Sequence, residues 1–272
     1  MPRGASILKA LILLAFSGAI FPVPAAATGS LAAPEFSLTI QDLRTLTAAL
    51  PGTVQARILA DPRSFLHMLS QVLDEPAELL VLVDKSHPLP ADYAPADLVS
   101  LGSYPLSVSR GDLSLRKAIM PDVLALAAAA RADGVTLLFS SSYRSYDHQK
   151  KVYEHEVKMN GQQAADRESA RPGASQHQLG TAMDFGSITD AFSDTKAGRW
   201  LAAHAEEYGF SLSYPKGFEN VTGYRYESWH YRYITRSAAR LQREYFDDIQ
   251  QYLIEFLHDN RTALEAKRLP AR

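Results

Sequence analysis

The sequence predicts an α+β fold: a small, mainly antiparallel sheet flanked by helices, with an N-terminal helical extension. Three observations lead there. Apolar residues recur at helix spacing along most of the chain. Only a few short β-like runs lie between them, at residues 79–83, 135–139, 210–214 and 224–234. No internal repeat marks a solenoid or propeller.

Taken in order, Arg3 and Lys9 precede an apolar run from Ala10 to Phe21, followed by Pro22, Pro24 and Ala25-Ala26-Ala27. That is the pattern of a secretory signal peptide over residues 1–27, with small residues at the cleavage site. The run is shorter than the ~20 apolar residues a spanning helix needs, so an uncleaved membrane anchor ranks second. The expectation is a secreted or periplasmic protein with no stable membrane span after cleavage. Residues 28–78 read as a helical segment. Ile40, Leu43, Leu46 and Leu50 share one face, Pro51-Gly52 interrupts, and Asp61-Pro62 opens a second helix as N-cap and first turn.

A principal domain is expected over residues 79–260. Leu79-Leu80-Val81-Leu82-Val83 reads as a strand entering Asp84 to Pro90, where prolines forbid regular structure. Leu115 to Ala132 reads as a helix with Pro121 as its one defect and Gly134 as its stop. Val135 to Phe139 has the continuous apolar character of a buried strand, and Ser140 to Ser145 follows it as a loop. Helical pattern returns over 146–159 and 195–208, strand alternation over 210–214 and 224–234, and a last amphipathic helix over 236–259. Residues 261–272 read as a solvated tail.

Composition excludes several classes of function. Twenty-eight Lys and Arg balance 30 Asp and Glu, so the chain lacks the basic footprint of a nucleic-acid binder. Without cysteine there is no disulfide, thiolate metal site or lipid-modified Cys. About 245 residues after the leader suffice for one sizeable core, and a monomer is expected.

Two segments concentrate chemistry. Ser175-Gln176-His177-Gln178-Leu179-Gly180-Thr181-Ala182-Met183-Asp184 holds a His and an Asp seven apart, with Gly180 between them to permit a tight reversal. Glu227-Ser228-Trp229-His230-Tyr231-Arg232-Tyr233 adds a second His and a carboxylate. Two His and one carboxylate are the three ligands of a catalytic zinc, leaving a position for water and a spare carboxylate to take its proton. Residues three apart in an ideal strand face opposite sides, so the chain must twist, bulge or turn between Glu227 and His230.

Competing patterns are weaker. His155-Glu156-Val157-Lys158-Met159 has Met where a zinc helix needs its second His. Ser114 to Lys117 and Ser193 to Lys196 match Ser-x-x-Lys without the companion motifs of a serine enzyme. His87, His148 and His204 read as structural.

The two segments together resemble the VanY-type metallo-carboxypeptidases, D-alanyl-D-alanine and L,D-carboxypeptidases of bacterial cell-wall metabolism, whose fold is related to those of lysostaphin and Hedgehog. The resemblance runs from about Leu82 to Leu257. It includes Ser141 to Ser145 with Gln149 downstream, and Asp84 to Pro90. It implies one zinc ion held by His177, Asp184 and His230, Glu227 as general base, Arg144 as anchor for a substrate carboxylate, and Ser175 and Gln149 as substrate contacts. The expected activity is removal of the C-terminal D-Ala from peptidoglycan stem peptides. The alternatives are L,D-carboxypeptidase action on tetrapeptide stems and, more distantly, a non-catalytic wall-binding protein on this fold.

Overall fold

The structure is a computed structural model that describes residues 31–270, so the signal peptide expected over 1–27 lies outside the described residues. A short hairpin, β1 (Leu31–Ala33) and β2 (Phe36–Thr39), opens the described residues, inside the 28–78 segment expected to be helical. The first helix begins where the chain offers a cap. Asp42 N–H donates to Thr39 Oγ1 at 3.1 Å and Thr39 N–H donates to Asp42 Oδ2 at 2.8 Å, a capping box that starts α1 (Ile40–Leu46). That helix ends at Leu46 with Thr47 as its C-cap, and Pro51 serves as N-cap of α2 (Gly52–Ala60). Asp61 then caps α3 (Pro62–Leu73) by accepting from Ser64 N–H, as its sequence position implies.

The apolar face of α3, with Phe65, Leu66, Leu69 and Val72, shares one core with C-terminal residues including Ile234, Leu241, Phe246 and Phe256. Phe65 is fully buried, its ring 5.2 Å from Tyr245 and 6.0 Å from Phe256. Phe65→Ala is therefore expected to cost about 3–5 kcal/mol in urea denaturation. A loss below ~1 kcal/mol would mean that the N-terminal helices fold outside the cooperative unit.

Leu79 to Val83 is not a strand. The guanidinium of Arg232 donates to the carbonyls of Leu79 at 3.2 Å and Val81 at 2.7 Å, which satisfies them without a ladder. The segment stays apolar because it runs between cores. Leu80 and Leu82 enter the first, and Leu79 enters a second. Asp84 to Pro90 is irregular, as expected, and Leu89 N–H donates to Gly173 O at 2.8 Å.

Next come β3 (Leu98–Ser100), β4 (Ser107–Val108) and β5 (Ser114–Arg116), with β3 and β5 antiparallel. The helix expected from Leu115 starts later, as α4 (Met120–Ala132), and Pro121 lies in its first turn. There its missing N–H has no partner to lose, so it starts the helix and is no defect. The strand expected at Val135–Phe139 is shifted to β6 (Leu138–Ser141), because Val135 N–H still donates to Ala130 O in the helix stop around Gly134 (φ 68°).

Then follow α5 (Tyr146–Asn160), α6 (Gln162–Glu168), β7 (Ala182–Phe185), α7 (Lys196–His204), β8 (Phe210–Leu212), α8 (Glu219–Thr222) and β9 (His230–Tyr233). The helix expected to Tyr208 tightens to a 3₁₀ turn after His204, and of the strand expected over 224–234 only β9 forms. The sheet order is β4-β6-β7-β9-β8, antiparallel except for the β4–β6 pair. One face, through Met183, Phe185, Tyr231 and Tyr233, covers the second core with α4 and α7 residues such as Val123 and Leu201. The period of two along a strand sends Ala182, Asp184, His230 and Arg232 to the other face.

The expected single C-terminal helix is two, α9 (Arg236–Tyr245) and α10 (Gln250–Ala266). Asp247 and Asp248 adopt positive φ between them, and the Gln242 amide donates to Asp248 O at 3.1 Å. The tail expected from residue 261 is also corrected. α10 continues to Ala266, Leu264 is fully buried, and Leu269 N–H donates to Glu35 O. Among the described residues, no helix is long and apolar enough to cross a membrane. The α+β class with a small sheet flanked by helices is as the sequence predicts.

Candidate active site

Two strands and two turns converge on one point. Asp184 on β7 is the direct cross-strand partner of His230, the first residue of β9. Before β9 the chain turns, with His230 N–H donating to Glu227 O at 3.2 Å, and this turn brings Glu227 round to the face that carries His230. Of the three ways to solve the three-residue spacing, the protein uses a turn. His177 arrives on a 3₁₀ turn, Gln176–Leu179, that reverses at Gly180 (φ 69°) straight into β7. A Cβ at Gly180 would lie 3.0 Å from Arg116 Cγ and 3.1 Å from Leu98 Cδ2, so both φ and space call for glycine.

The donor atoms of His177, Asp184 and His230 lie within 4.8 Å of one another, and all three side chains are buried. His177 Nε2 is 3.3 Å from Asp184 Oδ2, and His230 Nδ1 is 3.1 Å from Asp184 Oδ1. The far edge of His177 meets the Ser142 carbonyl, with Nδ1 at 2.7 Å. A carbonyl oxygen only accepts, so the proton sits on Nδ1 and Nε2 keeps its lone pair toward Asp184. Asp184 Oδ1 is buried and has no hydrogen-bond donor among the described residues. Lone pairs of nitrogen and oxygen facing one another in a buried space fit a cation between them. Two imidazoles and a carboxylate are the donor set of zinc.

The electrostatics are consistent with that fit. Burial holds the His177 pKa below its usual value, which keeps the ring neutral despite Asp184. Burial also opposes ionisation of Asp184, but the two imidazoles in their protonated form outweigh it and bring the carboxyl well below its usual range. Glu227 behaves oppositely. Burial pushes its carboxyl up to about 7; the Asp184 charge adds to this, while His230 opposes it. Glu227 Oε2 lies 3.5 Å from His230 Nδ1.

These groups line a cleft of about 370 Å³ that also includes Arg144, Gln149 and Ser175. Arg144 stands on the loop between β6 and α5, and its own N–H donates to His177 O at 3.2 Å, tying that loop to the ligand turn. Its guanidinium donates to Gln149 Oε1 at 2.8 Å and Ser141 Oγ at 3.1 Å. Burial lowers the Arg144 pKa, and the Asp184 charge opposes that shift. The Gln149 side chain is almost fully buried. Its amide donates to Ala170 O at 2.7 Å, so both ends of the side chain are engaged by protein. Ser175 caps the 3₁₀ turn, its Oγ accepting from His177 N–H at 3.3 Å.

The competing patterns lie elsewhere. His155 is exposed on α5, Ser114 belongs to β5, and Ser193 Oγ donates to Asp190 O. Other cleft residues escaped the sequence reading. Tyr214 packs its ring 4.8 Å from that of His230, and Arg225 lies over Trp229 while holding Asp190 at 2.7 Å. Arg225 stands two residues before Glu227, close enough to the motif to be a candidate on position alone. Tyr214 carries no such signal.

Comparison with known proteins agrees with the geometry. The family model of VanY, D-alanyl-D-alanine carboxypeptidase, matches residues 112–236. The chain is 34% identical over 195 residues to YodJ of Bacillus subtilis (strain 168), a carboxypeptidase by name, and the match covers 66% of this chain and 71% of that one. The structure of the LdcB LD-carboxypeptidase is similar at 35% identity and a TM-score of 0.60, covering 65% of this chain and 86% of that one. A variant of the vancomycin-resistance D,D-pentapeptidase VanY from a VanB-type cassette, solved in complex with Zn(II), is similar at 32% identity and a TM-score of 0.54, covering 66% and 99%.

Proposed function

The chain belongs to the VanY-type carboxypeptidase family, and we propose that it is a zinc-dependent D,D-carboxypeptidase removing the C-terminal D-Ala from peptidoglycan stem peptides. The observation that carries the reading is the convergence of His177, Asp184 and His230 beside a buried Glu227, in a cleft that also holds a buried guanidinium.

His177, Asp184 and His230 are the residues that would hold one zinc ion. Bound there, zinc supplies Lewis acidity, acidifying a water molecule and polarising the scissile carbonyl. Glu227 takes the proton from the attacking water and returns it to the leaving amine. Burial raises this carboxyl in the metal-free site, which favours the acid form needed for the return transfer, while a bound cation would favour the carboxylate needed for the first. Arg144 grips the terminal carboxylate of the substrate through a planar fork, which selects chain ends over internal bonds. Gln149 acts through Arg144 by holding its fork in place, and Ser175 faces the substrate from the cap of the ligand turn.

L,D-carboxypeptidase action is the second reading, favoured by the similarity to LdcB, and it uses the same residues. Mass-spectrometric digests of muramyl pentapeptide and tetrapeptide side by side test both. The expected result is D-Ala release from the pentapeptide, lost with a chelator and regained with Zn²⁺. Release from the tetrapeptide alone would replace the first reading by the second, and release from neither would leave a wall-binding protein.

A further inference from the structure

Behind His230 lies a buried polar chain that the proposed reaction does not use. His230 Nε2 is 3.2 Å from Gln176 Oε1, which also accepts from Ser213 Oγ at 2.7 Å. Gln176 Nε2 donates to Gln250 Oε1 at 3.2 Å, and Gln250 Nε2 donates to the Ser211 carbonyl at 3.4 Å. Gln176, Ser213 and Gln250 are all at most 3% exposed.

The direction of the chain follows from its far end. The Ser211 carbonyl can only accept, so the Gln250 amide must turn its NH₂ toward it and its oxygen toward Gln176. Gln176 must then present its own NH₂ to Gln250, which leaves its oxygen toward His230. An oxygen there requires the His230 proton on Nε2, and Nδ1 is left with a lone pair facing Asp184. A single main-chain carbonyl thereby sets the tautomer of a proposed metal ligand two side chains away.

We propose that Gln176 and Gln250 are positioning residues of the metal centre, an amide relay that holds the His230 imidazole in its Nε2–H tautomer with Nδ1 free for the metal. Partners on the far side of a ligating imidazole fix its orientation and raise its basicity. The relay also couples the site to the first turn of α10, since Gln250 is the first residue of that helix.

The proposal rests on the zinc reading above, and two measurements keep them separate. Long-range ¹H–¹⁵N NMR of the metal-free wild-type protein, at a pH where the ring is neutral, reads the His230 tautomer directly. Nε2–H is expected, and an Nδ1–H ring overturns the relay whether or not the protein binds zinc. Competition with a chromophoric chelator reads affinity. Gln176→Leu should raise the zinc Kd about 10- to 100-fold, and Gln250→Leu should raise it by about 10-fold. Gln176→Glu keeps an acceptor opposite Nε2 and should return the Kd close to wild type. A Gln176→Leu protein that loses thermal stability but keeps the wild-type Kd overturns the proposal, as it shows a structural role only. A wild-type protein without zinc affinity defeats the zinc reading, and the tautomer measurement then decides the relay alone.

Discussion

Glu227→Gln is expected to lower kcat for D-Ala release by about 10²- to 10⁴-fold while leaving the zinc content of the protein unchanged. The substitution keeps the shape and hydrogen-bonding reach of the side chain and removes only its ability to take a proton. The cluster able to hold a metal comprises His177, Asp184 and His230, and Glu227 stands beside it without belonging to it. Its position explains why a carboxyl there can work in both directions. Burial raises it to about 7 in the metal-free site, with His230 opposing and the Asp184 charge adding, and a bound cation would draw it back down toward the carboxylate that accepts the proton. Steady-state kinetics paired with elemental analysis of the purified variant separate the possibilities. Turnover within tenfold of wild type would remove Glu227 as the base, and loss of zinc would make it a ligand instead.

The parts of the site most legible in the sequence are those fixed by side-chain chemistry and by period. Asp184 and His230 each sit in a four-residue strand whose alternate residues are large and apolar, so their sharing the opposite face follows from local pattern. Gly180 is legible too, because a tight reversal between two ligands seven residues apart calls for a residue that adopts φ above zero. What was not legible depended on distant partners. Leu79 to Val83 has the composition of a strand, yet its carbonyls are taken by Arg232, about 150 residues further on. The stripe on α3 was plain, but nothing in it names Tyr245, Phe246 and Phe256 as what it packs against. The break between α9 and α10 had only a weak signal, since Asp tolerates positive φ better than most residues without requiring it. The Ser142 carbonyl that orients His177 is main chain and leaves no trace in residue type.

Arg144→Ala should lower kcat/KM for a free-acid peptide by about 10²- to 10³-fold, with most of the loss in KM, while barely changing the rate on the same peptide amidated at its C-terminus. The magnitude corresponds to about 3–4 kcal/mol, the range for removing one partner of a desolvated charge pair. A guanidinium has five N–H donors, and here Gln149 and Ser141 each take one, which leaves enough for a carboxylate to be held through two. The ratio of free-acid to amide rates is the telling readout. If Arg144 acts by capturing the carboxylate, that ratio collapses toward one in the variant. If the arginine served only to stabilise the fold or the field around Glu227, both substrates would slow together and the ratio would hold. Arg144→Lys keeps the charge and loses the fork, so it should recover only part of the discrimination. Gln149→Ala, which frees the fork without removing it, should cost about tenfold, because the amide then no longer repays part of the ordering of a long side chain. A wild-type preference for free acids in Arg144→Ala would move the determinant of end-trimming to another cleft residue, with Arg225 the remaining guanidinium that lines the cleft.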